Sequence, residues 1–333
     1  MLQPDPAHAP PGAGPAVAET SAGAEPDAST PPARSSEATP LAPVWLWAGL
    51  FGVGLSWGLT QIFMKGAMAG GFHPVGAALW QAGVGAAVTA AAIWLTRTPL
   101  PRTPRHLGFY AVCGLLGTAL PASLAFAAIV HLPVGVQALM ISTVPLMTVA
   151  LALPLGLESV TARRLGGVAL GFLGIAMIIL PEASLPGAGQ AFWIALPAMT
   201  ALSYATENVV IDRFRPADTG TLAIGCGLLW SATAMLLPVV LILDLPVLPG
   251  EIASRAMLDM IAVTILNIAA YLGFVWLIGR AGPIFSSQVG YIVTATGVIT
   301  GIVFLCESHA WTVWLAMALL FAGIALVSPR RAR

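Results

Sequence analysis

Charged side chains are scarce in this chain of 333 residues, and their scarcity determines the class of protein. Only 8% of the residues are charged, with 14 basic and 14 acidic side chains, whereas 58% are hydrophobic. Soluble globular domains carry about 25% charged residues, so these few charges cannot cover a water-exposed surface. With a mean hydropathy of +0.88, the sequence predicts a protein whose main solvent is lipid.

Other absences exclude further classes of function. The formal net charge is zero, so there is no basic stripe to neutralise phosphates, and a nucleic-acid partner is not expected. The 3 cysteines lie far apart in apolar runs and the 5 histidines lie in the tail or near span ends, a distribution that predicts neither a disulfide framework nor a metal site. Without a glycine loop ending in Lys-Ser or Lys-Thr, direct ATP drive is not expected. We expect no cofactor and no catalytic constellation.

The N-terminal segment differs in composition from the rest of the chain. Residues 1–43 contain ten prolines and many Ala, Ser, Thr and Gly residues, with few bulky apolar side chains. Such a segment cannot bury enough apolar surface to offset the conformational entropy of ordering. It also lacks the basic start and short apolar core of a secretory signal. We therefore expect a disordered tail over residues 1–43.

Beyond the tail, long apolar runs alternate with short polar breaks. A helix needs about twenty apolar residues to cross a bilayer and satisfies its own backbone groups there. The runs show no strict apolar and polar alternation of the kind found in barrel strands. The sequence predicts an all-α polytopic membrane protein with ten transmembrane helices, at residues 44–64, 74–95, 107–129, 134–155, 165–180, 191–211, 221–243, 257–278, 284–306 and 311–327.

The placement of basic residues predicts the orientation of these spans. With ten spans and a cytoplasmic N terminus, twelve arginines fall on the cytoplasmic side, and only Lys65 and Arg255 fall on the other. This bias follows the positive-inside rule, and an odd number of spans would remove it. We expect a multi-pass protein of the cell (inner) membrane with both termini in the cytoplasm.

The chain contains an internal repeat. Residues 156–159 near the end of the fourth span read Gly-Leu-Glu-Ser, residues 305–308 near the end of the ninth read Leu-Cys-Glu-Ser, and a glycine follows each glutamate by sixteen residues. Residues 56–61 of the first span correspond to residues 203–208 of the sixth. We predict two five-helix domains, residues 44–181 and residues 190–328. Because five is odd, the second enters the membrane in the opposite direction, giving the inverted repeats used by secondary transporters.

These motifs resemble the drug/metabolite transporter superfamily, of the EamA type. The resemblance depends on Trp57-Gly58 in the first span, Thr-Val-Pro at 143–145 in the fourth, Leu-Glu at 157–158 with its downstream glycine, and the doubled five-helix pattern. It covers about residues 44–328 and implies ten helices, cytoplasmic termini and a central pathway for a small solute, usually a metabolite that moves outward. An arginine often found in the second helix of that family is replaced here by Trp80-Gln81. This departure weakens any interpretation that needs a fixed positive charge to hold an anionic substrate.

Polar side chains within the spans are the candidate substrate ligands. Glu207 is the clearest, because a carboxylate in hydrocarbon is costly and should face a cavity or a partner. It either binds a proton or a cation during transport, or is an interfacial acid that pairs with Arg213 or Asn208. Buried amides and hydroxyls can orient a substrate, and they can equally bridge helices. The predicted substrate-binding residues are Trp57, Gln61, Trp80, Gln81, Tyr204, Glu207, Asn208, Asn267, Tyr271 and Gln288.

Glycine and proline positions predict where helices approach each other closely or bend. Glycine pairs spaced by four residues permit close helix contact, and we expect contacts within one chain, with a homodimer face as the alternative. These pairs are Gly54/Gly58, Gly167/Gly171 and Gly297/Gly301. Prolines within spans free backbone groups and predict kinks; they are Pro121, Pro145, Pro197 and Pro238.

The sequence favours a secondary transporter, an exporter or exchanger of a small organic metabolite that works by alternating access between the two halves. Its partners would be the lipid bilayer, the solute, and a proton or counter-solute, with monomer and homodimer both open. Two alternatives remain. A membrane-embedded enzyme would need a convergent nucleophile, base or metal set, and a non-transporting scaffold would have a dry interface without polar lining. We expect no enzymatic activity.

Overall fold

The computed structural model describes residues 43–155, 161–179, 191–249, 254–286 and 289–327. In these ranges all regular structure is helical, which confirms the all-α class for the described part of the chain; the predicted tail lies outside it. The helices are α1 Pro43–Ala69, α2 Pro74–Thr96, α3 Pro104–Gly114, α4 Leu120–Ile129, α5 Val134–Ile141, α6 Val144–Ala152, α7 Ala162–Ile179, α8 Ala191–Phe214, α9 Thr221–Ile242, α10 Arg255–Ser286, α11 Val289–Leu305 and α12 Trp311–Val327.

Each predicted span overlaps a helix, but not every helix is long enough to cross a bilayer unaided. Seven stretches of the described residues have the length and apolar composition of membrane spans: Val44–Ala69, Pro74–Thr96, Pro104–Ile129, Val134–Ala152, Phe192–Ile211, Thr221–Ile242 and Arg255–Phe274. The other three predicted spans correspond to α7, α11 and α12, whose apolar portions are shorter. The protein is therefore a multi-pass membrane protein.

Two of the predicted proline kinks coincide with irregular backbone. A π-helical turn, Leu115–Ala119, joins α3 to α4, and Pro121 follows it in the first turn of α4. The fourth span is interrupted at Ser142 and Thr143, just before Pro145. There the two hydroxyls donate to carbonyls of the preceding turn, with oxygen–oxygen distances of 2.7 and 2.6 Å, which are local bonds of the kind that serine and threonine make where a helix bends.

The other two span prolines, Pro197 and Pro238, lie inside α8 and α9, which continue through them. The ninth span was predicted to begin at residue 284, but α10 extends to Ser286 and includes Pro283, so α11 begins at Val289.

The predicted glycine pairs lie at helix crossings within the chain. Gly54 and Gly58 of α1 face Ile292 and Thr296 of α11, where an added Cβ would overlap either side chain. The second pair, in α7, lies against Gly323 of α12, and the third, in α11, lies against α5. The prediction of close contacts within one chain is confirmed at all three positions.

The most extensive helix pairs define the bundle. Helix α1 packs on α10 and α11, and α8 packs on α4, α5 and α6. Three further pairs are α2 with α9, α7 with α12, and α5 with α11. The largest apolar core lies among α1, α2, α4, α9 and α10, around the fully buried Phe126 and Ile129.

Contacts between helix ends define two opposite ends of the bundle. At one end, Lys65 near the end of α1 meets Glu307, which follows α11, and Glu307 meets Val134 at the start of α5. The start of α10 also meets the end of α1 there, through Asp259 and Gly66. We call this end the Lys65 face.

At the other end, Arg163 of α7 donates to the Ala325 carbonyl of α12 at 2.9 Å. His106 of α3 also contacts Asp218, between α8 and α9, at 3.1 Å. We call this end the Arg163 face.

Candidate functional site

One polar contact lies inside the bundle where α1 crosses α10. The indole Nε1 of Trp57 donates a hydrogen bond to Oδ1 of Asn267 at 2.8 Å. The indole ring also packs against Phe274, with ring centroids 5.3 Å apart. Both partners are half-buried, so this contact joins two predicted site residues that are 210 positions apart in the sequence.

A second polar group lies where α8 meets the π-helical turn. Leu120 N–H donates to the Leu115 carbonyl, and Pro121 has no N–H, so the Leu116 carbonyl lacks both donors that could continue the helix. It accepts instead from Ser203 Oγ of α8, at 2.7 Å. The turn is thus fixed to α8 through a side chain.

This attachment places Glu207 against the turn. Glu207 follows Ser203 by four residues on the same helix, and its carboxylate lies on Gly117, where an added Cβ would overlap both carboxylate oxygens. Within the described part of the chain no ion pair joins Glu207 to a lysine or arginine. The predicted alternative of a Glu207–Arg213 pair therefore gains no support.

Tyrosine and cysteine side chains complete the surroundings of this carboxylate. Tyr204 of α8, Tyr271 of α10 and Cys113 of α3 all lie within electrostatic range of Glu207. The Tyr271 hydroxyl lies against Gly225 of α9. The structure thus brings Tyr204, Glu207 and Tyr271 into one region, together with Cys113, which was not among the predicted site residues.

Gln61 is part of a third polar contact, one that connects α1 to α5. Its Oε1 accepts from Nε2 of Gln137 at 3.3 Å, and the same Nε2 donates to the Ala125 carbonyl at 3.2 Å. Gln137 is fully buried, and its Oε1 has no hydrogen-bond partner among the described residues. Sequence reasoning did not select Gln137, although a glutamine in an apolar run was a usable signal.

The remaining predicted ligands are not joined to these groups by a described contact. Trp80 packs against the large core, and its indole N–H is buried without a partner in the described residues. Gln81 is half-buried. Asn208 is exposed and donates from Nδ2 to Thr148 Oγ1 of α6 at 3.3 Å. Gln288 lies outside the described residues.

The chemistry of these groups suits binding of a polar solute. They offer indole, amide and phenol hydrogen-bonding groups and one carboxylate, set among helices of a membrane bundle. A shallow depression of about 500 Å³ lies elsewhere, at the end of α2 between Ile93 and Thr98, and none of the predicted site residues lines it.

Comparison with known proteins finds a family match over the first part of the chain. Residues 44–180 match the EamA-like transporter family. Over 230 residues the chain is 26% identical to Protein PecM of Dickeya dadantii (strain 3937). This alignment covers 65% of this chain and 72% of PecM. One crystal structure of a protein with 20% sequence identity superposes with a TM-score of 0.57 over 84% of this chain and 96% of that chain, a likeness of fold alone. The match over residues 44–180 and the similarity to PecM confirm the resemblance to EamA-type transporters that the motifs predict.

Proposed function

We propose that the protein is a secondary transporter that exports or exchanges a small organic metabolite by alternating access between residues 44–181 and residues 190–328. The observation that carries this proposal is the position of the two polar groups. Trp57 on α1 bonds Asn267 on α10, and Glu207 on α8 lies on the turn between α3 and α4. Each group therefore connects a helix of one half to a helix of the other, which is where alternating access needs its site.

The pattern of helix packing supports two inverted halves. Helix α1 packs on α10 and α11, and α8, its counterpart in the second half, packs on α4 and on α5 and α6. The first span thus packs on the eighth and ninth spans, and the sixth span packs on the third and fourth, which are the same pairs with the two halves exchanged. Helices α2 and α9, α5 and α11, and α7 and α12 are counterparts that pack on each other, as a pseudo-twofold axis requires. The family match over residues 44–180 agrees with a first half that is a unit.

The three shorter helices complete a proposed total of ten spans. Helix α7 has 18 residues and α11 and α12 have 17 each, or about 26 Å at 1.5 Å per residue. A hydrocarbon core is about 30 Å thick, so these helices span it with small extensions into the interface. Helices α7 and α12 pack on each other, and α11 packs on the longer helix α1.

The distribution of basic side chains supports the orientation of the protein in the inner membrane. Lys65 and Arg255 lie at the Lys65 face, and α1 begins and α12 ends toward the opposite face. The described arginines at or near the Arg163 face are Arg97, Arg102, Arg105, Arg163, Arg213, Arg215 and Arg280. By the positive-inside rule the Arg163 face is cytoplasmic, and so are both termini.

Five side chains form the centre of the proposed substrate site: Trp57, Tyr204, Glu207, Asn267 and Tyr271. Glu207 provides the place for a coupling proton or a cationic group, because a carboxylate at membrane depth needs such a partner. Gln61, Trp80, Gln81, Asn208 and Gln288 are the outer ligands of the same proposal. No enzymatic step is part of it.

Flux through liposomes tests the proposal. Candidate solutes come from metabolite profiles of cells with and without the protein, and the purified protein is then assayed with each. We expect Asn267→Leu to lower flux about tenfold, because it leaves the Trp57 indole N–H without its acceptor.

The matched control for this experiment is Thr264→Val on the same helix. The Thr264 hydroxyl donates to the Met260 carbonyl one turn earlier, at 2.8 Å, so its loss should leave flux near the wild-type value. The proposed function is wrong if the wild-type protein moves none of the candidate solutes, and the proposed site is wrong if Asn267→Leu transports normally.

A further inference from the structure

Glu307 closes the end of a helix that belongs to the other half of the chain. Its Oε1 accepts from the backbone N–H of Val134 at 2.8 Å, and its Oε2 accepts from that of Gly135 at 3.4 Å. These are the first N–H groups of α5, which have no acceptor within their own helix and favour a negative charge. A side chain between α11 and α12 therefore caps α5 at the Lys65 face.

Lys65 adds α1 to the same contact. Its Nζ lies 3.2 Å from Oε1 of Glu307 and donates to the Leu132 carbonyl, just before α5, at 2.9 Å. The side chains are 28% exposed for Lys65 and 9% exposed for Glu307, so the pair is screened less than a surface salt bridge. Charge-assisted hydrogen bonds of this kind are about twice as strong as neutral ones.

The chain around Glu307 directs its carboxylate toward α5. Cys306 has a φ of 52°, and Glu307 N–H donates back to the Gly301 carbonyl at 3.1 Å. His309 packs against Gly135, with its Nε2 3.8 Å from Oε2 of Glu307. Burial lowers the pKa of His309 below its usual value, so this imidazole is neutral at pH 7 and Lys65 supplies the positive charge.

We propose that the contact of Lys65 and Glu307 with the start of α5 is the gate that closes the Lys65 face of the transporter. The inference rests on the proposed alternating access, in which the halves must separate at one face while they stay closed at the other. Here the contact joins α1 and α5 of the first half to the link after α11 in the second. When this face opens, Glu307 leaves α5 and Lys65 together.

The position of Gln61 makes the gate testable. Gln61 precedes Lys65 by four residues on α1, one helical turn or about 6 Å deeper in the bundle, and it is only 7% exposed. A thiol at this position lies behind the closed gate and becomes accessible when the gate opens. Labelling with a membrane-impermeant maleimide on right-side-out vesicles measures that accessibility without any substrate.

The reporter is Gln61→Cys in a Cys306→Ser background, because Cys306 is exposed whereas Cys113 and Cys226 are buried. The background alone, without the introduced thiol, gives the baseline. We expect Glu307→Gln to raise the labelling rate of the reporter about fivefold or more, since an amide keeps the size of the side chain but loses the charge. Lys65→Met should act similarly, and the double variant should add little to either.

Arg255→Met is the matched control. Arg255 pairs with Asp259 at 3.0 Å on the same face, but both residues lie on α10, so its loss should leave labelling unchanged. Where Gln61→Cys does not fold, Thr60→Cys, also buried, replaces it as the reporter. The proposed gate is wrong if a folded Glu307→Gln protein shows an unchanged labelling rate. It is also wrong if Arg255→Met raises the labelling rate equally, or if the rate rises only when the maleimide is added from the cytoplasmic side. Failure of solute flux in wild-type liposomes contradicts the proposed function, whereas labelling judges the gate alone.

Discussion

Gly58→Leu is expected to lower the unfolding temperature of the purified protein by about 10 °C or to prevent its folding. An added Cβ at Gly58 would overlap the side chain of Thr296, which is 8% exposed on α11. Threonine is β-branched and stiff at χ1, so it cannot move aside, and the two helices must separate. Overpacking of this kind costs about 3 kcal/mol, and each kcal/mol corresponds to about 2–4 °C for a domain of this size.

Gly52→Leu is the control for this prediction because it places the same side chain on the same helix. Gly52 is exposed, and an added Cβ there has no heavy atom within 4 Å. Replacing glycine in an exposed helix position should be neutral or slightly stabilising. Thermal unfolding in detergent, followed by light scattering and size-exclusion chromatography, measures both variants. Equal unfolding temperatures for the two would show that the α1–α11 crossing is not as close as described.

Gly117→Ala is expected to lower solute flux about tenfold or more while the protein stays folded. The added methyl would occupy the place of the Glu207 carboxylate. That group is the end of a flexible side chain, so it can rotate away at small cost to stability. The displacement takes the carboxylate away from the π-helical turn, where the proposed site needs it, and a tenfold loss of flux corresponds to about 1.4 kcal/mol. This substitution therefore changes the position of the Glu207 carboxylate while the carboxylate itself is retained.

Comparison with Glu207→Gln makes this prediction specific. If Gly117 acts only by placing the carboxylate, the double variant should transport no worse than Glu207→Gln alone, because the two changes remove the same interaction. Gly108→Ala serves as the control: it lies on α3, is exposed and has no heavy atom within 4 Å of an added Cβ. Wild-type flux from Gly117→Ala would contradict a role for the carboxylate at its described position.

The helices could be predicted from the sequence because apolar length alone sets them. A run of about twenty apolar residues has few alternatives to a helix in lipid, and the predicted run at 311–327 matches α12 at both ends. The boundary between α10 and α11 was predicted less well, since the break at residues 279–283, Gly-Arg-Ala-Gly-Pro, suggested that the ninth span begins at residue 284. Composition could not show that the helix extends to Ser286.

The members of the proposed site could be selected from the sequence, but the contacts between them could not. Polar residues within apolar runs are visible in the sequence, and Trp57 and Asn267 were selected on that ground. Their hydrogen bond depends on how α1 crosses α10, which local patterns do not encode. Gly117 was missed because a glycine carries no chemistry of its own. The spacing of Gly117 and Pro121 was its only local signal, since proline four residues later removes the donor that a continuous helix needs.

The π-helical turn lets one span serve two different neighbours. Its extra residue advances the chain by about 100° around the helix axis, so residues before and after it point in directions that a continuous α-helix would not combine. Helix α3 accordingly packs on α9, and α4 packs on α8. The extra residue of the π-helical turn thus changes the direction in which the side chains of α4 point relative to those of α3. Deleting one residue from 115–119 would rotate α4 so that its present face no longer packs on α8.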